Sequence, residues 1–404
     1  MFCMYCGARL TEGAQTCRNC GAKVLIPGKK FGKETGLLEC SEKNQLMIRV
    51  PGKGLYFIAN ENRLCFLDDN TGEARVLIKK TGSVNLCGLG YYGGNIYYWH
   101  ECQNEKTNLY GIRLYEMNPV TQETEVVWES EEELFYHYRL DNSIGKARAI
   151  LYRGSYYLLN HYEQKLLRVS LPDGAWEETP LPNMRDKMPL LDWMNPRGPV
   201  DLKNESPNFG LKYTGLAILD GEVYLSLDGC MVCTLRFPLG YPEKITYLPK
   251  NSAVSIQNGE LGGMLVSVNG RVFSCPGAVL GTNEICVYEI WQDGNLTRLL
   301  SNASGEVNLN NKGGYWWRFG NTVYVGRIAM DLYERKWHKL PYQLFRQNAN
   351  NVFGDVADYL PGINNTVYLL TDSTLYMVPR DWENRVSQAG DLRQFEVANL
   401  KKLI

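Results

Sequence analysis

The chain has 404 residues, 44% of them apolar and 22% charged, with a formal net charge of -1. That balance fits a globular protein and excludes a general electrostatic pull toward nucleic acid or an anionic membrane; either partner would need a local patch. The length exceeds one compact core and implies two or three domains or one large closed repeat, and no run of ~18 apolar residues suggests a membrane span.

The chain opens MFCMYCGARL, without the basic start and apolar stretch of a secretory signal, so the expected location is the cytoplasm. Of its 12 cysteines, four fall within the first 20 residues as CxxC pairs, and the other eight are scattered. Such scatter is not a disulfide framework. The pairs read Cys3-Met4-Tyr5-Cys6-Gly7 and Cys17-Arg18-Asn19-Cys20-Gly21, with ten residues between Cys6 and Cys17. Each CxxC turn puts two sulfurs on one side of a tight knuckle, and the glycine after it lets the backbone bend sharply. Two facing knuckles supply four thiolates in a tetrahedron, the arrangement Zn²⁺ accepts. Four sulfurs leave no open coordination position, so the expected site at Cys3, Cys6, Cys17 and Cys20 is structural and not catalytic. A segment of about 24 residues cannot bury enough core to fold unaided, and metal binding would supply on the order of 10 kcal/mol. Four unligated cysteines, or iron in a rubredoxin-like site, are the alternatives; rubredoxin-type pairs are separated by far more chain.

Residues 1–23 closely resemble the short zinc-ribbon domains that begin many bacterial proteins, with the pattern M-x-C-x-x-C-G followed by C-x-x-C-G. The resemblance implies a structural zinc ion and a scaffold role and names no substrate. Residues 24–36, VLIPGKKFGKETG, read as a flexible tether.

From residue 37 to 404 the chain repeats itself. The marker is a turn residue, any residue, an apolar residue and an aromatic. It occurs at 53–56, 94–97, 154–157, 221–224, 270–273, 321–324 and 365–368, aligning Tyr56, Tyr97, Tyr157, Tyr224, Phe273, Tyr324 and Tyr368. The spacings are 41, 60, 67, 49, 51 and 44 residues. Gly or Asn at the turn suits the positive φ of a two-residue hairpin; Lys53 departs from this but lies between Gly52 and Gly54. Short β-rich segments precede and follow each marker, a third follows, and turn signals such as Asp68–Gly72, Pro172–Gly174 and Asp293–Gly294 come next. Each unit therefore reads as three or four antiparallel strands. Such units at a period of about 40–50 residues mark a β-propeller. Seven markers imply seven blades, with six or eight as alternatives and a pair of β-sandwiches as the rival fold. No stretch shows sustained helical periodicity. The repeat resembles bacterial propellers of unannotated function in the wider WD40-like and quinoprotein-like class, without the Trp-Asp signature of true WD40 repeats.

The first-to-second strand turns are tight throughout. The extra residues fall between units and between second and third strands: at about 182–212, at 129–146 beginning with Glu129, Glu131, Glu132 and Glu133, at Trp99–Asn108 and at Cys275–Glu284. In a four-stranded blade both classes open on one face of the disc, the expected binding surface. Cys230 and Cys233 read as packed cysteines, with a redox pair as the alternative, and a reducing compartment argues against a bridge between Cys275 and Cys286. His100, His137, His161 and His338 lack a metal spacing and read as surface or hydrogen-bonded residues. Trp316 and Trp317 read as core packing. No GxSxG or P-loop occurs.

The expected function is that of a non-enzymatic intracellular scaffold that binds a protein or peptide partner. The alternatives are a propeller enzyme acting on glycans as hydrolase or lyase, and nucleic-acid association through the ribbon with Arg18, Lys23, Lys29, Lys30 and Lys33, against which the neutral net charge weighs.

Overall fold

The computed structural model describes, besides Ala14, residues 46–50, 52–60, 62–80, 85–103, 110–130, 149–160, 165–181, 213–219, 222–227, 231–236, 244–247, 264–268, 271–275, 286–290, 296–301, 316–325, 328–340, 356–387 and 389–403. The zinc-ribbon and tether segments lie outside the described residues, as do most of the long connections.

The described residues form seven four-stranded antiparallel sheets, each built from contiguous chain with its strands side by side in sequence order. The first comprises Met47–Val50, Gly54–Ala59, Arg63–Asp68 and Ala74–Lys79. The second comprises Asn85–Tyr92, Asn95–Gln103, Tyr110–Met117 and Thr124–Glu129. The third has Ala149–Tyr152, Ser155–Asn160, Lys165–Ser170 and Trp176–Pro180, and the fourth Tyr213–Leu219, Glu222–Leu227, Met231–Arg236 and Lys244–Tyr247. Met264–Val268, Arg271–Cys275, Cys286–Ile290 and Leu296–Ser301 make the fifth. The sixth runs Trp316–Phe319, Thr322–Val325, Ile328–Asp331 and Lys336–Lys339, and the seventh Val356–Pro361, Thr366–Thr371, Thr374–Pro379 and Glu396–Asn399. The only helical segments among the described residues are two 3₁₀ turns, Trp382–Asn384 and Ala389–Phe395.

Burial falls from the first strands outward. Gly54–Ala59 is buried at every position, whereas Ala74–Lys79, Thr124–Glu129 and Trp176–Pro180 are largely wet. Two-sided burial of inner strands is what a sheet acquires when a neighbour packs on each face. First strands meet one another: Met47–Val50 packs on Asn85–Tyr92, that strand on Ala149–Tyr152, and Ala149–Tyr152 on Tyr213–Leu219. Tyr213–Leu219 in turn meets Met264–Val268, and Trp316–Phe319 meets Val356–Pro361. Between the fifth and sixth sheets, Arg335 reaches the buried Glu289 carboxylate at 2.8 Å. The architecture is propeller-like.

The last sheet also meets the first, since Val356–Pro361 packs on Met47–Val50. Asp358, buried, accepts backbone N–H bonds from Leu46 at 2.7 Å and Met47 at 3.0 Å through Oδ2. Arg63 donates to the carbonyls of Leu400 at 2.9 Å and Leu403 at 2.7 Å. One continuous core holds Met47, Leu55 and Phe57 of the first sheet together with Tyr368, Leu370 and Leu375 of the seventh.

The marker aromatics Tyr56, Tyr97, Tyr157, Phe273, Tyr324 and Tyr368 are all buried. The third-to-fourth strand turns share one chemistry: Asp68, Asn118 and Asp331 each accept N–H bonds from the residues two and three positions on. Short polar side chains stabilise a turn in this way. A residue with positive φ then closes it, namely Gly72, Gln122, Gly174 and Arg335. The seventh sheet departs from the sequence reading. Its extra chain, residues 380–395, lies between the third and fourth strands and carries both 3₁₀ turns. Trp382 from this excursion is buried against Trp317, with ring centroids 5.5 Å apart, so the insertion serves packing.

Candidate functional site

Antiparallel alternation sends the first-to-second and third-to-fourth turns to one end of every sheet and the other connections to the opposite end. The first-to-second turns span only 51–53, 93–94, 153–154, 220–221, 269–270, 320–321 and 362–365. The connections between sheets span 80–84, 130–148, 181–212, 248–263, 302–315 and 340–355, all but the first of them long. The second and third sheets share this polarity, because the ring of Tyr92 packs on Gly154, from one tight turn to the next. The strand Met47–Val50 starts at the long-connection end, and Glu396–Asn399 finishes there. The segment preceding residue 46 therefore joins the sheets at the end that carries the connections between sheets.

Among the described residues, the most unusual chemistry at that end lies in the seam between the first and second sheets. The strand Asn95–Gln103 alternates faces with period two. Tyr97 and Trp99 face the third sheet, where Trp99 meets Tyr156 at 5.6 Å edge-on and Tyr156 donates to the carbonyl of Gly88 at 2.8 Å. Ile96, Tyr98 and His100 occupy the other face. Tyr98 stands opposite Tyr115 in the ladder, and the rings stack at 5.3 Å and 6°. His100 stands opposite Arg113, and Arg113 opposite Glu129. The row thus runs outward as imidazole, guanidinium, carboxylate. Arg113 Nε donates to Glu129 Oε1 at 2.6 Å, so Glu129, read from sequence as the start of an acidic loop, is paired at a strand end. From the first sheet Lys80 places its ammonium 5.0 Å over the Tyr115 ring.

His100 corrects the sequence reading, which expected a surface or hydrogen-bonded histidine. It is 6% exposed, and neither ring nitrogen has a hydrogen-bond partner. The cause is its strand phase, which points it into the seam between sheets. Burial, reinforced by the positive fields of Lys80 and Arg113, pulls its pKa down to about 4, so the ring is neutral at pH 7. The Tyr98 hydroxyl is also buried without a partner. Burial and the adjacent Tyr115 push its pKa far up, so it remains a protonated donor. No pattern in the sequence singled out Tyr98, Lys80 or Arg113.

His338, in contrast, is exposed and hydrogen-bonded as expected. Its Nε2 lies 2.7 Å from Glu383 Oε2, and Tyr324 donates to the other oxygen of the same carboxylate at 2.7 Å. Trp317 is core, stacked on Tyr324 at 4.1 Å; nothing is described for the side chain of Trp316. Cys233 lies in the strand Met231–Arg236, while Cys230 is outside the described residues. Cys275 ends one strand and Cys286 begins the next across the connection 276–285. Cys65 and Cys87 are buried and not disulfide-bonded, and burial pushes the Cys65 thiol up to about 12, leaving it unreactive. His137, His161 and the ligands Cys3, Cys6, Cys17 and Cys20 fall outside the described residues. Among the described residues no three His, Cys, Asp or Glu side chains are grouped to hold a metal ion, and no helix is long and apolar enough to cross a membrane.

Residues 2–24 match the zinc-ribbon domain family. No curated protein matches the chain. Among solved structures, the Swd1 β-propeller domain of Myceliophteria thermophila is similar at 8% identity and TM-score 0.46, covering 82% of this chain and 93% of that one. BamB of Moraxella catarrhalis is similar at 12% identity and TM-score 0.41, covering 80% and 78%. A 6-phosphogluconolactonase-like protein of Bacteroides fragilis shows 10% identity and TM-score 0.35, covering 75% and 92%. These similarities concern fold alone, and the propeller-like architecture rests on the sheets themselves.

Proposed function

We propose that the chain is a non-enzymatic intracellular scaffold, in which a closed seven-bladed propeller presents its long-connection end to a protein or peptide partner. A structural Zn²⁺ held by Cys3, Cys6, Cys17 and Cys20 folds the front segment into a second contact module. The observation that carries this reading is the polarity of the sheets. The long connections between sheets and the segment leading from the ribbon reach the same end, while the opposite end is closed by short turns in every sheet but the seventh, whose excursion 380–395 lies there. Insertions on a rigid frame are where binding residues accumulate. A tethered second module at the same end raises the effective concentration at a shared partner. The match of residues 2–24 to a zinc-ribbon family supports the metal assignment. That Cys65 and Cys87 are buried without a disulfide is compatible with a reducing compartment.

Cross-linking of the intact chain to captured partners, read by mass spectrometry, tests the assignment. Cross-links are expected from the long connections and from residues 1–36, and they should thin out in a Cys3→Ser/Cys6→Ser variant. Cross-links confined to the tight-turn end, or turnover in a substrate screen with no captured partner, would overturn it.

A further inference from the structure

We infer that the seam between the first and second sheets receives a carboxylate group, held by Tyr98, His100 and Lys80. The inference deepens the reading of the long-connection end as the binding surface, because it names the chemistry that surface takes.

Three donor side chains surround the Tyr115 ring: Tyr98 and His100 with ring centroids 5.3 and 5.7 Å from it, and Lys80 with its ammonium 5.0 Å over it. The Tyr98 hydroxyl and the two nitrogens of His100 are buried and unpartnered, and a neutral imidazole carries one N–H donor. Lys80 has an aromatic ring and no carboxylate beside it among the described residues. Buried polar groups in folded proteins are nearly always paired, so an orphaned pair of side chains on one strand face marks a missing acceptor. The charge count selects its kind. Arg113 is matched by Glu129, which leaves one positive charge, on Lys80, without a carboxylate partner among the described residues. An apolar occupant would leave all three donors unsatisfied, and a water molecule would leave the ammonium unmatched. A cation would meet Lys80 and Arg113. A monoanion with acceptor oxygens satisfies the Tyr98 hydroxyl, the imidazole N–H and the Lys80 ammonium together, and an ionised carboxylate is that species. Access is through Lys80. Its ammonium stands on a flexible stem over Tyr115, and Lys80, Arg113 and Tyr115 are half-buried at the open side of the seam. Rotation of Lys80 off the ring exposes the imidazole and brings the ammonium onto the incoming group.

The test follows the His100 ring resonances of the full-length chain by NMR at constant ionic strength. Acetate and succinate are titrated first, then a short peptide with a free C-terminus and its amidated form. Saturable shifts are expected with the carboxylates and none with acetamide, and the peptide pair separates a partner's terminal carboxylate from a free small acid. Tyr98→Phe and Lys80→Met should each weaken binding about tenfold or more, the loss of one charge-assisted hydrogen bond. Tyr98→Phe deletes a hydroxyl with no partner in the free protein, so its melting temperature without ligand should equal or exceed the parent's, while Lys80→Met gives up only the ammonium's contact with the Tyr115 ring. Equal shifts with acetamide, preferential binding of inorganic phosphate, or unchanged affinity in both variants would overturn the inference. So would lowered ligand-free stability in both, which would show an internal partner for the donors. Carboxylate binding without a captured protein partner would leave this site standing and remove the scaffold reading; partner capture indifferent to both variants would do the reverse.

Discussion

Removing the Asp358 carboxylate tests the joint between the last sheet and the first. This side chain accepts two backbone N–H groups from residues 311 and 312 positions away. Both donors belong to the buried residues Leu46 and Met47, which water does not reach. Asp358→Ala orphans both, at roughly 1–3 kcal/mol each. Part of that loss is offset because a buried carboxylate no longer has to be desolvated, so the expected net destabilisation is about 3 kcal/mol. Asp358→Asn keeps an acceptor oxygen and should lose about 1 kcal/mol. The control is Asp381→Ala, whose ion pair with Arg385 is half-exposed on both sides and is worth about 0.5 kcal/mol. Urea unfolding followed by tryptophan fluorescence gives the free energies. Hydrogen exchange at the Leu46 and Met47 amides localises the change, since these two should lose protection first in Asp358→Ala. If Asp358→Ala costs no more than Asp381→Ala, or if those amides keep their protection, this carboxylate does not hold the joint.

His100 predicts a pH dependence. Its folded form stays neutral down to about 4, whereas the unfolded side chain takes up a proton near pH ~6.5. As pH falls through that window only the unfolded chain gains the proton, so stability declines with falling pH and levels off below the folded value. The loss is roughly 2 kcal/mol after discounting for the half-open seam; His100→Leu should flatten the curve, as paired urea titrations at pH 7 and pH 4.5 would show. Gly72 and Gly174 form a matched pair, with φ of +71° and +69° in equivalent turns. A Cβ at Gly72 meets open space, whereas one at Gly174 would lie 2.2 Å from the Val127 carbonyl oxygen of the second sheet. Gly72→Ala should cost about 1 kcal/mol and Gly174→Ala at least ~2 kcal/mol more, measured by the same unfolding assay. Elemental analysis should find one zinc per chain, lost in Cys17→Ser, with the main thermal transition of the sheets unchanged on chelation.

The sheets were legible because their signals are local. A positive-φ turn residue followed by apolar and aromatic residues declares a hairpin within four positions, and Tyr56, Tyr97 and Tyr368 sit where that rule puts them. The Asp68, Asn118 and Asp331 turns are equally local, each side chain bonding to its own next few amides. The chemistry between sheets was not legible. Period two states that Tyr98 and His100 share a face, but not that the first sheet covers that face or that Lys80 overhangs Tyr115. The partners of Asp358 lie beyond any pattern that sequence spacing can express. The excursion 380–395 was missed for a related reason: Trp382 acquires its meaning only from Trp317, a residue of the preceding sheet.

The joint between the seventh and first sheets differs physically from the joints elsewhere. Adjacent sheets are tied by a covalent connection, so their packing needs little extra entropy to hold them together. The last and first sheets are tied only by non-covalent contacts, and no strand from either end crosses into the other's sheet, since Glu396–Asn399 completes the seventh sheet and Met47–Val50 begins the first. A seam without a shared strand needs partners that cannot easily be exchanged for water. The contacts found there have that character: a buried carboxylate on two main-chain amides, and a guanidinium on two main-chain carbonyls near the C-terminus. Arg49 and Asp69, paired within the first sheet, add a third element beside Tyr368 of the seventh, whose phenol they influence electrostatically. Both ends of the sheet-forming chain therefore converge on one seam at the long-connection end. If ligand binding there stiffens the joint, Leu46 and Met47 amide exchange should slow when a partner is added, and Asp358→Ala should weaken partner binding as well as stability. A variant that lost stability while keeping full partner affinity would separate the two roles and confine the joint to folding.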